Sequence, residues 1–299
     1  MKIAVAGATG FIGQALVAHL GATGHRVVRL VRRGADASRG DVTWDPSKGV
    51  LDPAALDGVQ AVVNLAGEPV AERWTADRKR RIKSSRVEGT TLIAKTLVGL
   101  ARPPRVLVNA SAIGIYGDRG DEVLDESAKP GTGFLADVAQ AWEASAAPAV
   151  ERGIRTVLAR FGIVLGAAGG ALEKMLPPFK LGAGGRLGSG KQWMSWVTLD
   201  DVVAAIDYAI TSDRVSGPVN VVAPNPVTNA DFTHELGHAL HRPAVATVPA
   251  FALRFAYGEM GEAVLLASQR VVPAALQRAG FLFKHTILGD ALKQIPLGR

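Results

Sequence analysis

The residues best equipped for chemistry begin at position 7. Gly7, Gly10 and Gly13 are spaced as G-x-x-G-x-x-G, with Ala8, Thr9, Phe11 and Ile12 between them. They follow the apolar run Lys2 to Ala6 and open a helical pattern from about Phe11 to Leu20. A turn so placed aims backbone amides and the positive end of a helix at a phosphate, and glycine keeps side chains out of the way. Gly13 would let the helix lie close on the strand. Alone the pattern is common. Between a strand and a helix it points to a dinucleotide pyrophosphate, with Thr9, Gly10, Phe11 and Ile12 expected to share in the contact.

A second basic element lies about 20 residues further on, at the end of the next extended run, His25 to Val31. A dinucleotide whose ribose carries a free 2′-hydroxyl is held at that place by a carboxylate. This chain has Arg32 and Arg33 instead. A guanidinium grips a 2′-phosphate through a charge-assisted fork, whereas a carboxylate would repel it. The expected cofactor is therefore NADP(H) rather than NAD(H).

Another motif suggests different chemistry. His234-Glu235-Leu236-Gly237-His238 matches H-E-x-x-H, in which two histidines one helical turn apart bind zinc and the glutamate activates water. His241 extends that face. A third ligand is wanted, yet position 244, where longer metalloprotease patterns place a histidine, is Ala244; Glu259 and Glu262 are distant substitutes. The motif is short and lies late in an alternating strand–helix chain. No metal is expected, and a zinc hydrolase is the weakest functional reading.

These groups need a scaffold, and composition bounds it. The chain has 299 residues, 48% of them apolar, enough for a sizeable core. It has no cysteine, which excludes disulfides, thiolate catalysis and cysteine zinc sites. The opening residues lack the features of a secretory signal, and no apolar run is long enough to span a bilayer. A cytoplasmic protein that binds no membrane is expected. The net charge of +7 comes with only 6% aromatics and scattered basic residues, so a small, anionic partner is favoured over nucleic acid. Oligomeric state is not readable.

Along the chain, extended runs at Lys2 to Ala6, His25 to Val31, Val59 to Leu65, Arg105 to Ala110 and Thr156 to Arg160 alternate with helical stretches. That order predicts an α/β fold: a Rossmann, doubly wound parallel sheet with a smaller C-terminal substrate portion. Residues 1–165, joined by about 190–225, are read as the cofactor-binding domain, and 166–299 as the substrate-binding portion. Gly166 to Gly190, rich in glycine and carrying Pro177 and Pro178, reads as a mobile cover. Thr228 is the expected N-cap of a helix to Leu240, with Asp231 at its third position.

Taken together, Gly7 to Gly13, the strand ends Asn64-Leu65-Ala66-Gly67 and Ser111 to Gly117, Arg160 to Gly166 and Ser195 to Val202 resemble the extended short-chain dehydrogenases/reductases. Asn64 to Val70, Arg73 to Arg86, Phe134 to Glu143 and Ser268 to Phe283 resemble more closely an atypical branch labelled "epimerase family". The resemblance covers essentially the whole chain. It implies that Leu65, Ala66 and Gly67 wall the cofactor ribose. It also implies that Ser111 lies at or near the active-site serine, that Arg160 and Phe161 flank the nicotinamide, and that Asp200 and Asp201 start a helix near the substrate portion. Ordinary members carry Tyr-x-x-x-Lys in the helix after the fifth strand, where the lysine lowers the tyrosine pKa for proton transfer. Aligning on Phe134 puts Val138 at the lysine; aligning on Glu143 puts Leu135 and Ala139 at the pair. Neither register holds the dyad.

Other groups must then move the proton if the chain is an enzyme. Ser111, Tyr116 and Glu68 are the catalytic candidates, with Glu143 and Asp137 behind them. Lys83 and Arg86, on a basic helical stretch, and Trp193 and Trp196, with Met194, are the substrate-binding candidates. The expected function is an NADP(H)-dependent oxidoreductase or epimerase-like enzyme acting on a small molecule. The alternative is a non-catalytic NADPH-binding regulatory protein.

Overall fold

A computed structural model of the chain describes residues 1–298. The opening strand β1 (Lys2–Ala6) leads into α1 (Phe11–Ala22), β2 (Arg26–Val31), β3 (Asp41–Asp45) and the short β4 (Val50–Leu51). Then come β5 (Ala61–Asn64), α2 (Ala76–Val98), β6 (Val106–Ala112), α3 (Phe134–Ala144) and β7 (Arg155–Phe161). The last parts used below are α4 (Gly170–Lys180), α5 (Leu199–Thr211), β8 (Gly217–Val221), α6 (Asn229–Leu240) and α7 (Ala250–Tyr257).

The eight strands make one sheet in the order β8-β7-β6-β5-β1-β2-β3-β4. All neighbours run parallel except the β3–β4 pair. The central strands are apolar runs buried on both faces, as a parallel sheet covered by helices requires. On one face α1 and α5 enclose Ile3, Val5, Leu16, Val63, Val108, Val202 and Ile206. On the other, α2 covers Ala4, Leu30, Trp44, Ile93, Leu97 and Leu107.

The strand order reverses between β1 and β5, which opens a crevice at their carboxyl ends, the usual place for a ligand in such sheets. Two glycines make that crossing. Gly7 has φ +78°, and a Cβ on it would lie 2.7 Å from the carbonyl carbon of Leu65. A Cβ on Gly13 would lie 2.1 Å from the Gly7 carbonyl oxygen, so α1 lies on the turn with backbone against backbone.

A smaller core, including Leu172, Leu176, Phe179, Trp196, Phe232, Leu236 and Leu292, forms the C-terminal portion. Here the structure differs from the glycine-rich cover expected between Gly166 and Gly190. Gly170–Lys180 is helical and holds Pro177 and Pro178 within it. Leu172, Leu176 and Phe179 follow a helical period, and their burial outweighs the hydrogen bonds that two prolines remove. Thr228 does cap α6, in a capping box with Asp231. Among the described residues no helix is long and apolar enough to cross a membrane.

Two substitutions in α1 separate close packing from helix propensity. Gly13→Ala must push the helix off the turn, and chemical denaturation is expected to show a loss of about 1–3 kcal/mol. A Cβ on Gly21 meets nothing within 4 Å, so Gly21→Ala is expected to add roughly 0.5 kcal/mol.

Candidate active site

The turn after β1 is closed by the Gly10 amide donating to the Gly7 carbonyl at 3.0 Å. Gly10 is the extended N-cap residue of α1 and has no side chain to cap it. The amides of the first helical turn, at Phe11, Ile12 and Gly13, therefore lack intrahelical acceptors. The Thr9 carbonyl is held by Gln14 Nε2 at 2.7 Å. A Cβ added to Gly10 would meet only the Gly7 carbonyl oxygen, at 3.3 Å, and otherwise stand in open space. The end of α1 is thus an open cradle of amides, a fit for a pyrophosphate.

Arg32 and Arg33 directly follow β2, exposed, and neither joins an ion pair among the described residues. The nearby carboxylate is already engaged: Asp41 accepts from Arg29 Nε and Nη2 at 2.6 and 2.7 Å and from the Asp36 amide at 3.1 Å. Burial alone would raise the Asp41 carboxyl pKa, but these hydrogen bonds outweigh it and hold it below the usual range. Asp41 remains an anion bound to Arg29, which fixes the loop and leaves the charges of Arg32 and Arg33 free.

At the carboxyl end of β5, Asn64 Oδ1 accepts from the Ala66 amide at 3.2 Å, which sets the path of Leu65, Ala66 and Gly67. Asn64 in turn donates to Asn109 Oδ1 at 2.7 Å, tying β5 to β6. Beyond β6 a second network forms. Arg160, from β7, donates Nε and Nη2 to the two carboxylate oxygens of Glu143 on α3, both at 2.8 Å. Ser111 Oγ donates to Glu143 Oε1 at 2.6 Å. Arg160 Nη1 donates to the Tyr116 hydroxyl at 2.9 Å, and that hydroxyl lies 2.8 Å from Asn220 Oδ1 and 3.0 Å from the Asp125 carbonyl oxygen. Burial works against the Arg160 charge, but the Glu143 and Tyr116 oxygens more than offset it and push its pKa up. Burial also raises the Tyr116 pKa, with Arg160 opposing it only in part, so the hydroxyl keeps its proton. Tyr116 is wholly buried, and Phe161, at the end of β7, packs half-buried against the main core.

The structure therefore brings Ser111, Tyr116 and Arg160 together, and Glu143 joins them. It leaves Glu68 and Lys83 apart. Glu68 lies 3.4 Å from Arg78 and 3.9 Å from Arg81. Lys83 is exposed on α2, and Asp137 lies in the first turn of α3. Arg86 lies beside Gly67, with its Nη1 on the carbonyls of Glu68 and Ile82, both at 3.0 Å. Trp193 donates to Asp121 at 2.9 Å and carries Arg270 over its ring at 4.2 Å. Trp196 is core, its indole N–H on the Asn225 carbonyl. On α3, Leu135 packs on the Ser111–Tyr116 turn: a Cβ on Gly114 would lie 3.3 Å from Leu135 Cβ. Phe134 meets Trp74 edge to face at 4.9 Å.

A cavity of about 350 Å³ opens beside Phe11, lined by Gly166, Thr198, Asp200, Lys284 and His285 among others. It flanks the glycine turn and does not reach the Ser111–Arg160 network. In the HELGH segment the rings of His234 and His238 stack 6.5 Å apart. Among the described residues no three His, Asp or Glu side chains are grouped to hold a metal.

Residues 3–222 match the profile of the NAD dependent epimerase/dehydratase family, and residues 248–295 match a domain of unknown function, DUF1731. Epimerase family protein Mb2239 of Mycobacterium bovis is 46% identical over 97% of this chain and 96% of its own length. The crystal structure of human epimerase family protein SDR39U1 with NADPH superposes with a TM-score of 0.91 at 33% identity, covering 100% of both chains. A nucleoside-diphosphate sugar epimerase from Corynebacterium glutamicum superposes at 0.81 and 36% identity, over 98% of this chain and 57% of that one. The chain belongs to the NAD dependent epimerase/dehydratase family, within the atypical short-chain dehydrogenases/reductases that bear the name epimerase family protein.

Proposed function

We propose that this chain is an NADP(H)-dependent oxidoreductase that acts on a small molecule without the tyrosine–lysine pair of ordinary short-chain dehydrogenases. The observation that carries the proposal is the open amide cradle at Gly7 to Gly13 together with two arginines directly after β2 that join no ion pair among the described residues. The human relative whose structure contains NADPH supports the phosphorylated form. When bound, the nicotinamide supplies hydride transfer. The chain's own residues hold and orient. Phe11, Ile12 and Gly13 amides take the pyrophosphate, Arg32 and Arg33 take the 2′-phosphate, and Leu65, Ala66 and Gly67 wall the ribose.

The network below the crevice has a holding role. Ser111 donates its hydroxyl hydrogen bond to the Glu143 carboxylate, and Tyr116 is sealed in the core with its hydroxyl fully partnered. The helix that carries the dyad in ordinary members has neither tyrosine nor lysine here, reading Phe134-Leu135-Ala136-Asp137-Val138-Ala139. These three observations favour the second reading, a non-catalytic NADPH-binding protein, if no turnover is found.

Calorimetry with both dinucleotides tests the cofactor assignment. NADPH should bind about tenfold or more tightly than NADH, and Arg32→Ser with Arg33→Ser should remove that preference, on the order of 1.4 kcal/mol or more. Equal affinities in the unsubstituted protein would overturn it. Rapid mixing of NADPH-loaded protein with a panel of aldehydes and ketones, followed at the reduced nicotinamide absorbance, decides between the readings. Oxidation with any of them establishes the enzyme, and binding without oxidation leaves the regulatory role. The holding role has its own check: Arg160→Met strands the Glu143 carboxylate and should cost about 3–5 kcal/mol in denaturant unfolding.

A further inference from the structure

The HELGH segment of α6 carries side chains that the cofactor crevice does not use. Thr228 and Asp231 cap the helix, and Phe232, Leu236 and Leu240 seat its apolar face in the smaller core. The opposite face is thereby turned to solvent. Asp231, His234, Glu235 and His238 follow one another at i, i+3, i+4 and i+7 and form a single polar stripe. Both histidines are exposed. Their rings face each other across one helical turn, with 6.5 Å between centroids and 17° between planes.

These two rings differ from the other histidines that the fold puts to use. His19 Nε2 lies 3.0 Å from Asp207 Oδ2, and His25 Nδ1 lies 3.1 Å from the amino group of Met1. His285 is held between Thr198 Oγ1 at 3.2 Å and Gln294 Oε1 at 3.1 Å. Among the described residues no hydrogen bond ties the ring of His234 or His238, and Glu235 Oε1 stands 3.8 Å from His234 Nδ1, beyond hydrogen-bonding reach.

Two such imidazoles one turn apart form a chelating pair. The helix holds the second donor beside the first, and rotation of the exposed side chains brings both ring nitrogens to the bonds of about 2.0–2.1 Å that a metal ion takes from histidine. The carboxylates of Asp231 and Glu235 on the same stripe favour a cation there. A hydrolytic centre does not follow. The Glu235 carboxylate lies against Gly289, in the helix Leu288–Gln294, and His241 is the C-cap with φ 53°, which takes it out of the helical register. The pair therefore stands without a neighbouring base and leaves the remaining coordination positions to water. Imidazole donors suit copper, nickel and zinc rather than calcium or magnesium.

We propose that His234 and His238 form a surface site for a late first-row divalent ion, Cu(II), Ni(II) or Zn(II), bound through one nitrogen of each ring and completed by water. The site belongs to the C-terminal portion and does not rest on the cofactor assignment.

Calorimetry of the full chain without an affinity tag, in a buffer that does not chelate, tests it by titration with copper, nickel and zinc chlorides in turn. One equivalent per chain is expected, with Cu(II) bound most tightly, as imidazole donors dictate. His234→Gln and His238→Gln should each weaken binding at least about tenfold, the lower end of what even an outer-shell change costs, while His241→Gln should change it by less than about twofold. Thermal unfolding gives a second readout. Both positions are exposed, so the metal-free midpoint should be the same in all four proteins, and zinc should raise it only where both rings of the pair are present. Absence of saturable binding, affinity unchanged in either His234→Gln or His238→Gln, or an equal loss in His241→Gln would overturn the site.

Discussion

Everything in the crevice is placed by one backbone contact, the Gly7 turn lying against the peptide after Leu65 with no room for a side chain on either glycine that makes the crossing. A parallel sheet fixes the spacing of β1 and β5, and the helix after β1 must begin where the strand order reverses. Gly13 lets the helix rest on the Gly7 carbonyl, and Gly7 itself lies against the Leu65–Ala66 peptide at the exit of β5, so the start of α1 is set beside that exit. Any thicker residue would lift α1 away and carry the amide cradle out of line with the strand exits. The packing constraint and the binding geometry are therefore the same constraint.

Charge is arranged around that crossing by a simple rule. Carboxylates near the crevice are matched to arginines that the fold draws out of water: Asp41 to Arg29, Glu143 to Arg160 and Glu68 to Arg78. Each pairing satisfies a group that would be costly to bury alone. Among the described residues Arg32 and Arg33, directly after β2, and Arg86, beside the exit of β5, join no ion pair. The net charge of +7 thus has a local expression in positively charged side chains on the carboxyl edge of the sheet.

What could be read from the sequence was local. The glycine turn, the arginines after β2 and the Thr228–Asp231 cap are each set by residues a few positions apart, and their geometry follows from backbone rules. Gly170–Lys180 was illegible because glycines and two prolines hide an apolar period that only pays off when Leu172, Leu176 and Phe179 find the C-terminal core. The Ser111–Glu143–Arg160–Tyr116 network was illegible for another reason. Its members come from β6, α3, β7 and the turn after β6, and no local pattern announces a pairing across 17 to 44 positions. Ranking Glu143 below Ser111 and Tyr116 missed that it is the group on which the other side chains converge. The one available signal was its charge on an otherwise apolar helical face.

The same network bears on what α3 can carry on the face that it turns toward β6. In this chain Leu135 closes on Gly114 and Val138 and Ala139 are buried, so the face of α3 toward the β6 turn is apolar. A tyrosine hydroxyl or lysine ammonium set into that face would need partners, and the polar groups within reach are already matched: Ser111 to Glu143, Glu143 to Arg160, Tyr116 to Arg160 and Asn220. An unpaired polar group there would cost more than its catalytic value unless the network were rebuilt around it. Restoring tyrosine and lysine at Leu135 and Ala139 alone therefore does not recreate an ordinary short-chain dehydrogenase. It adds unmatched polar groups to a closed floor. The groups without ion-pair partners among the described residues, Arg32 and Arg33, lie outside that floor, directly after β2.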